Sequence, residues 1–154
     1  MILLYSDQIS AQLRNAPGSF AGLMDLYERN YIGIRRLVPV MPATNDLRVS
    51  QLPGGLNLYL EVLDRFRYTT ELSLTYHFHK ELGCVAEPDL RVRIYHDARL
   101  AEVVAAQLRR WPAFRQSDEG DPSTPLCIRW HINRFLCKWL NYCLHQGHRF
   151  AAPL

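Results

Sequence analysis

His96 and Asp97, adjacent near the middle of the chain, carry the side chains best suited to acid–base chemistry. A histidine changes charge near neutral pH and a neighbouring carboxylate can orient its ring. The pair is therefore the candidate centre of a small hydrolase or metal-dependent enzyme. In the alternative interpretation, Asp97 caps a helix and His96 is a buried histidine bonded to the backbone or to Glu102. Because helix caps are far more common than catalytic pairs, the architectural interpretation is favoured.

His77 and His79 form a second pair, separated by one residue in a long alternating segment. Two imidazoles at positions i and i+2 of a strand lie about 6.5–7 Å apart along one face. They would share a metal ion if a third ligand converged on them. No nearby carboxylate pair is evident as that ligand. The pattern therefore favours two histidines on a solvated strand face, and the sequence predicts no cofactor.

Arginine and tyrosine side chains would gather on the same polar face if the predicted strands pair in chain order. The members of this set are Arg48, Arg67, Arg91 and Arg93, with Tyr59 and Tyr95. Arginine among aromatic rings on an open sheet can hold single-stranded nucleic acid or a phosphate-rich ligand. Glu61 and Glu71 dilute the positive charge there, and cross-strand Arg–Glu pairs explain the pattern more simply. A weak nucleic-acid binder is a second alternative, and nucleic acid is not the favoured partner.

The strands that would position these residues are indicated by apolar side chains at every second position. Four segments alternate in this way, at residues 47–50, 56–62, 66–79 and 90–95. A period of two is typical of antiparallel strands with one buried face, and the short connections favour a meander.

Three helices are predicted from apolar side chains three and four residues apart. The first starts after Ser19 and stops at Pro39, and the second follows Asp97 and stops at Pro112. The last covers roughly residues 126–145. The predicted fold class is α+β: an antiparallel meander of about four strands with the N- and C-terminal helices packed on one face.

Composition indicates a globular protein, because 48% of the 154 residues are hydrophobic and 21% are charged. A single domain over residues 1–154 is expected, with 1–18 as an N-terminal extension and 113–125 as a polar loop. The apolar start has no positive residue and no apolar run is long enough for a membrane span. The four cysteines show no CxxC spacing, which disfavours disulfides and zinc. We therefore expect a cytoplasmic protein with no membrane partner.

Four motifs occur in an order that resembles a known family. They are Asn30 to Pro39, Arg67 to Thr70, Tyr95 to Ala98 followed by Ala101 to Val103, and Ile132 to Leu136 followed by Trp139, Leu140 and Tyr142 to Leu144. Together they resemble the YqiB-like family of uncharacterised proteins, a domain of unknown function found mainly in proteobacteria. The resemblance covers roughly residues 20–150 and implies a bacterial cytoplasmic protein. It implies no reaction, ligand or catalytic residue.

The favoured function is a non-catalytic interaction or regulatory module with an unidentified protein partner, because the polar positions are typical of surfaces and caps. Such a module needs an exposed apolar patch, which we expect near Trp111 or Trp130. A homodimer through Trp130 or through an edge strand is a further expectation.

Overall fold

The computed structural model describes residues 19–80, 83–107, 114–115 and 126–151. Two helices, α1 (Phe20–Leu37) and α2 (Leu126–Gln146), lie within these residues. The strands are β1 (Leu47–Ser50), β2 (Leu58–Arg65), β3 (Thr69–Lys80), β4 (Gly83–Tyr95), β5 (Leu100–Gln107) and β6 (Phe114–Arg115). All neighbouring strands pair antiparallel in chain order, so the sheet is a meander. The predicted α+β class is confirmed.

The segment after Asp97 is strand β5, and the prediction of a helix there is wrong. A short turn at residues 96–99 leads into β5, which pairs with β4 from Leu100 to Gln107. The register shifts near Val104, which is an extra residue in β5. This bulge breaks the two-residue period, and the apolar spacing that remains resembles a helix. Pairing along a complete neighbouring strand outweighs the helical preference of an alanine-rich segment.

Most of the core lies between one face of the sheet and the two helices. The sheet contributes Leu58, Leu60, Val62, Leu72, Leu74, Leu90, Val92 and Ile94, and the helices contribute Ile34, Leu37, Ile132, Leu136, Trp139 and Leu140. These strand residues alternate along the chain, as one buried face requires. The helices end at ordinary caps: the Gly22 amide donates to Ser19 Oγ at 3.0 Å, and Gly147 follows α2 with a φ of 98°.

Trp130 belongs to a second, smaller apolar cluster between α1 and α2. Its other buried members are Leu23, Leu26 and Tyr27. Only 5% of Trp130 is exposed, so the expected apolar surface patch at this residue is wrong. Trp111 lies outside the described residues. So do residues 1–18 and most of the predicted polar loop, namely residues 113 and 116–125. The other two residues of the loop, Phe114–Arg115, form β6.

Gly33 sets the distance between the helices, and replacing it with leucine is expected to destabilise the fold. A Cβ at this position would lie 3.1 Å from Leu140 Cδ1 and 3.3 Å from Leu140 Cβ. A larger side chain must push α2 away, at a cost of about 1–3 kcal/mol in the free energy of unfolding. Urea unfolding measures this loss. The neighbouring Ile32→Leu change is the control because Ile32 is 49% exposed, and equal losses in both variants would contradict the prediction.

Candidate functional site

His96 lies at the start of the β4–β5 turn and is held from two sides. Its backbone amide donates to the Tyr68 carbonyl at 2.8 Å, and its Nε2 shares a hydrogen bond of 2.7 Å with Thr70 Oγ1. Thr70 is completely buried, whereas His96 is partly buried. The partner of the ring is therefore Thr70, where Glu102 or the backbone was expected. Asp97 is exposed and caps no helix, because no helix begins there.

A cleft of about 380 Å³ opens beside His96. Its polar wall consists of Arg35, Arg65, Arg67 and His96, and its apolar wall consists of Pro39, Val40, Met41 and Phe66. We call this the basic cleft. The meander builds it, because the end of α1, the β2–β3 turn and the β4–β5 turn meet at one end of the sheet. Arg65 is fixed in place by donating from Nη1 to the carbonyls of Met41 and Pro42, at 3.4 and 3.2 Å.

Positive charge dominates the basic cleft. Burial lowers the pKa of His96, and the guanidinium charges of Arg35 and Arg65 lower it further, against an opposing effect of Asp97. None of the three cleft arginines forms an ion pair with a carboxylate of the described residues. The cleft therefore holds uncompensated cations, and an anion is the complementary ligand.

Each of two other clefts lined by described residues has one arginine paired with a carboxylate, beside cationic side chains without an ion pair in the described residues: Arg149 in one cleft, Arg134 and Lys138 in the other. Beside β1, Arg48 Nη2 lies 2.8 Å from a carboxylate oxygen of Asp46. Between the helices, Arg29 Nε lies 3.0 Å from a carboxylate oxygen of Asp25. In the same groove the guanidinium of Arg134 lies 5.2 Å from the centroid of a Trp130 ring. Both of these clefts include an aspartate, whereas no acidic residue lines the basic cleft, which makes it the stronger candidate for an anion site.

The predicted arginine-rich face assembles only in part. Arg91, Arg93 and Tyr95 follow one another at alternate positions of β4, on the face away from the helices. Arg48 is on the opposite face, because it pairs with the fully buried Leu60, and Arg67 lies in the β2–β3 turn. The expectation that all four arginines share one face is therefore wrong.

Arg93 is engaged by its neighbours on that face. Its Nη2 donates to Glu71 Oε1 at 2.6 Å, which is the cross-strand pairing that the sequence indicated. Tyr95 Oη donates to Glu102 Oε1 at 2.6 Å, so this tyrosine also has a protein partner. An anionic ligand on this face would have to compete with the Glu71 carboxylate for Arg93.

His77 stacks on Tyr59, with ring centroids 4.2 Å apart and an interplanar angle of 21°. The side chain of His79 lies outside the described residues, so the predicted pair is placed only in part. In the part of the chain that is described, no three His, Cys, Asp or Glu side chains lie close enough to hold a metal ion. The stacking gives His77 a role in packing β2 against β3.

A family model described as "Protein of unknown function (DUF1249)" matches residues 33–149. The chain belongs to this DUF1249 family. All four polar residues of the basic cleft lie inside the matched segment. Within the described ranges, neither helix is long and apolar enough to cross a bilayer.

Among the curated relatives are three proteins called "Uncharacterized protein YqiB", from Escherichia coli strains K12, CFT073 and O157:H7. Each is 33% identical over 139 residues, which cover 88% of this chain and 94% of the relative. This agrees with the YqiB-like resemblance of the sequence motifs. No solved structure matches the chain.

Sequence reasoning missed two members of the basic cleft, Arg35 and Arg65. Arg35 is in the last turn of α1, where a basic residue is ordinary, and Arg65 ends β2. A usable signal exists, because Arg65 ends β2 and Arg67 lies in the β2–β3 turn, which must lie beside the turn at His96 once β3 pairs with β4.

Proposed function

We propose that the protein is a non-catalytic interaction module that docks a partner protein at the basic cleft. The observation that carries this proposal is a group of exposed apolar side chains at the cleft. Phe66 is 66% exposed, Val40 is 57% exposed and Tyr68, in the same turn as Phe66, is 52% exposed. Large apolar side chains next to arginine are the composition found at the centres of protein interfaces.

The turn that presents these side chains is anchored before any partner arrives. The Phe66 amide donates to the Thr69 carbonyl at 2.7 Å, and the Tyr68 carbonyl accepts from the His96 amide. The guanidinium of Arg67 lies 5.1 Å from the centroid of the Tyr68 ring. A surface held in this way loses little conformational entropy on binding, which favours its use for recognition.

The surroundings of His96 support a binding role over the alternative of a small hydrolase or metal-dependent enzyme. Its Nε2 is engaged by Thr70, and the Thr70 hydroxyl is buried and inaccessible to a substrate. No hydrogen bond joins Asp97 to His96 within the described residues, so the carboxylate does not orient the ring as a general base requires. A nucleic-acid role has less support, because Arg93 is paired and Arg48 lies on the other face.

The proposal also covers the location of the protein, its domain organisation and its oligomeric state. We place it in the cytoplasm as a single domain over residues 1–154, supported by a main core that the sheet and both helices share and by cysteine spacing without a CxxC pair. A homodimer stays a prediction.

Selection from a displayed library of random linear peptides tests the docking surface. We expect enriched peptides to bind the unaltered protein and to bind a Phe66→Ala variant at least about tenfold more weakly, as loss of a central aromatic contact implies. Phe20→Ala is the matched control, because Phe20 is also 66% exposed but lies at the start of α1. Peptides that bind both variants equally, or a selection without enrichment, would contradict the proposal.

A further inference from the structure

We infer that the basic cleft binds two side-chain carboxylates of an acidic segment of the partner protein, with an apolar side chain of that segment against Phe66. The inference rests on the proposed function and specifies the chemistry of the partner. It follows from three features: uncompensated guanidinium groups, the size of the cleft, and its apolar wall.

The guanidinium groups are the first feature. Arg35 in the last turn of α1, and Arg65 and Arg67 at the β2–β3 connection, line one cleft without an ion pair to a described carboxylate. Arg65 uses Nη1 for two backbone carbonyls, and its Nε and Nη2 have no acceptor among the described residues. A guanidinium presents five N–H donors in a planar fork that matches a carboxylate, so Arg65 keeps three donors for a ligand.

Size and apolar character are the second and third features. The cleft measures about 380 Å³, which is much larger than one oxyanion group. Its other wall includes Val40, Met41 and Phe66. A single phosphate would leave this wall empty, whereas a segment with two acidic side chains flanking an apolar one fills both walls. Nucleic acid is disfavoured, because three of the four apolar residues of this wall, Pro39, Val40 and Met41, are not aromatic and offer a base no ring to stack on.

His96 is a built-in reporter of charge in the cleft. The groups that face it are Arg35 from α1, Arg65 from β2, Thr70 from β3 and Asp97 from its own turn, and Arg67 of the β2–β3 turn lines the same cleft. Because the arginine charges lower the pKa of His96, bound carboxylates must raise it again. By linkage, the acidic segment then binds more tightly as the pH falls through the pKa of His96.

Titration of the full chain with peptides, monitored by NMR of the His96 ring, tests the inference. The probes are a Glu-Leu-Glu-containing peptide and its Gln-Leu-Gln counterpart. We expect the acidic peptide to raise the pKa of His96 and to bind at least about tenfold more tightly than the neutral one, as charged hydrogen bonds imply.

Arg65→Gln should weaken binding of the acidic peptide about tenfold. Arg91→Gln should leave it unchanged, because Arg91 is exposed on β4 outside the cleft. Arg67→Gln is the second cleft variant if Arg65→Gln does not fold.

Equal affinities for the two peptides, or equal effects of the Arg65 and Arg91 changes, would overturn the inference. If a neutral apolar peptide still requires Phe66, the proposed function survives this failure. If the acidic peptide binds Phe66→Ala with full affinity, the carboxylate site survives and the proposed docking role of Phe66 fails. A single-stranded oligonucleotide that displaces the acidic peptide at equal concentration would overturn the choice of a protein partner.

Discussion

Replacing Asn133 with leucine is expected to lower the free energy of unfolding by about 3 kcal/mol, because it leaves buried polar groups unpaired. Asn133 is completely buried on α2. Its Oδ1 accepts from the Val103 amide at 2.9 Å and from Asn30 Nδ2 at 3.4 Å, and its Nδ2 donates to the Arg129 carbonyl at 2.8 Å. Leucine has the same branched arrangement of four side-chain heavy atoms and a larger volume, so the loss does not come from a cavity.

Urea unfolding and hydrogen exchange together check this prediction. The control is Asn141→Leu, the same change at an exposed position of α2, where we expect less than about 0.5 kcal/mol. The Val103 amide should exchange much faster in the Asn133 variant, because its acceptor is gone. Equal stability losses in the two variants, or unchanged protection of Val103, would show that this side chain does not fasten β5 to α2.

Asn133 also explains how the sheet is protected next to the bulge in β5. Val103 precedes the extra residue Val104, and its amide bonds to a side chain of α2. Unpaired amides near the edge of a sheet attract other strands. The helix therefore both buries the core face and satisfies a strand amide at the bulge.

The parts of the fold that sequence predicted correctly depend on local regularity. The alternation before Phe78 predicts β3 because both faces of that strand keep their character for many residues. Ser19 and Gly147 mark helix ends through their own chemistry, a side-chain acceptor and a backbone with positive φ. These signals do not depend on distant residues.

The parts that sequence reasoning missed depend on distant residues. The bulge at Val104 gives β5 an apolar spacing that resembles a helix. The segment forms a strand because it pairs with β4 along its whole length. Arg35 and His96 are 61 positions apart in the sequence. They line one cleft only because the meander brings the β4–β5 turn beside the end of α1. The position of Arg48 follows from pairing with Leu60, which alternation alone does not fix.

Acidification is expected to destabilise the protein through His148, starting below about pH 6.5, the ordinary pKa of histidine. His148 is 2% exposed, and its Nδ1 shares a hydrogen bond of 2.9 Å with Ser50 Oγ. Burial lowers the pKa of His148 in the folded state. Below its ordinary pKa the unfolded chain therefore binds a proton that the folded chain does not. The contribution is full well above about pH 6.5 and falls, by at most about 1.4 kcal/mol per pH unit, until the lowered pKa is reached.

Urea unfolding measured as a function of pH, with a His148→Gln variant, isolates this effect. His96 also has a lowered pKa and adds a loss of stability of the same sign in both proteins, so some pH dependence remains in the His148→Gln variant. We expect His148→Gln to reduce the slope between about pH 6.5 and the lowered pKa, by at most about 1.4 kcal/mol per pH unit. His145→Gln is the control, because His145 is exposed in the last turn of α2, shortly before His148. The readout is the slope and not the absolute stability, so it distinguishes a lost proton linkage from lost packing against Tyr76, whose ring centroid lies 5.7 Å away. A slope that His148→Gln leaves unchanged would mean that His148 is protonated equally in the folded and unfolded chains.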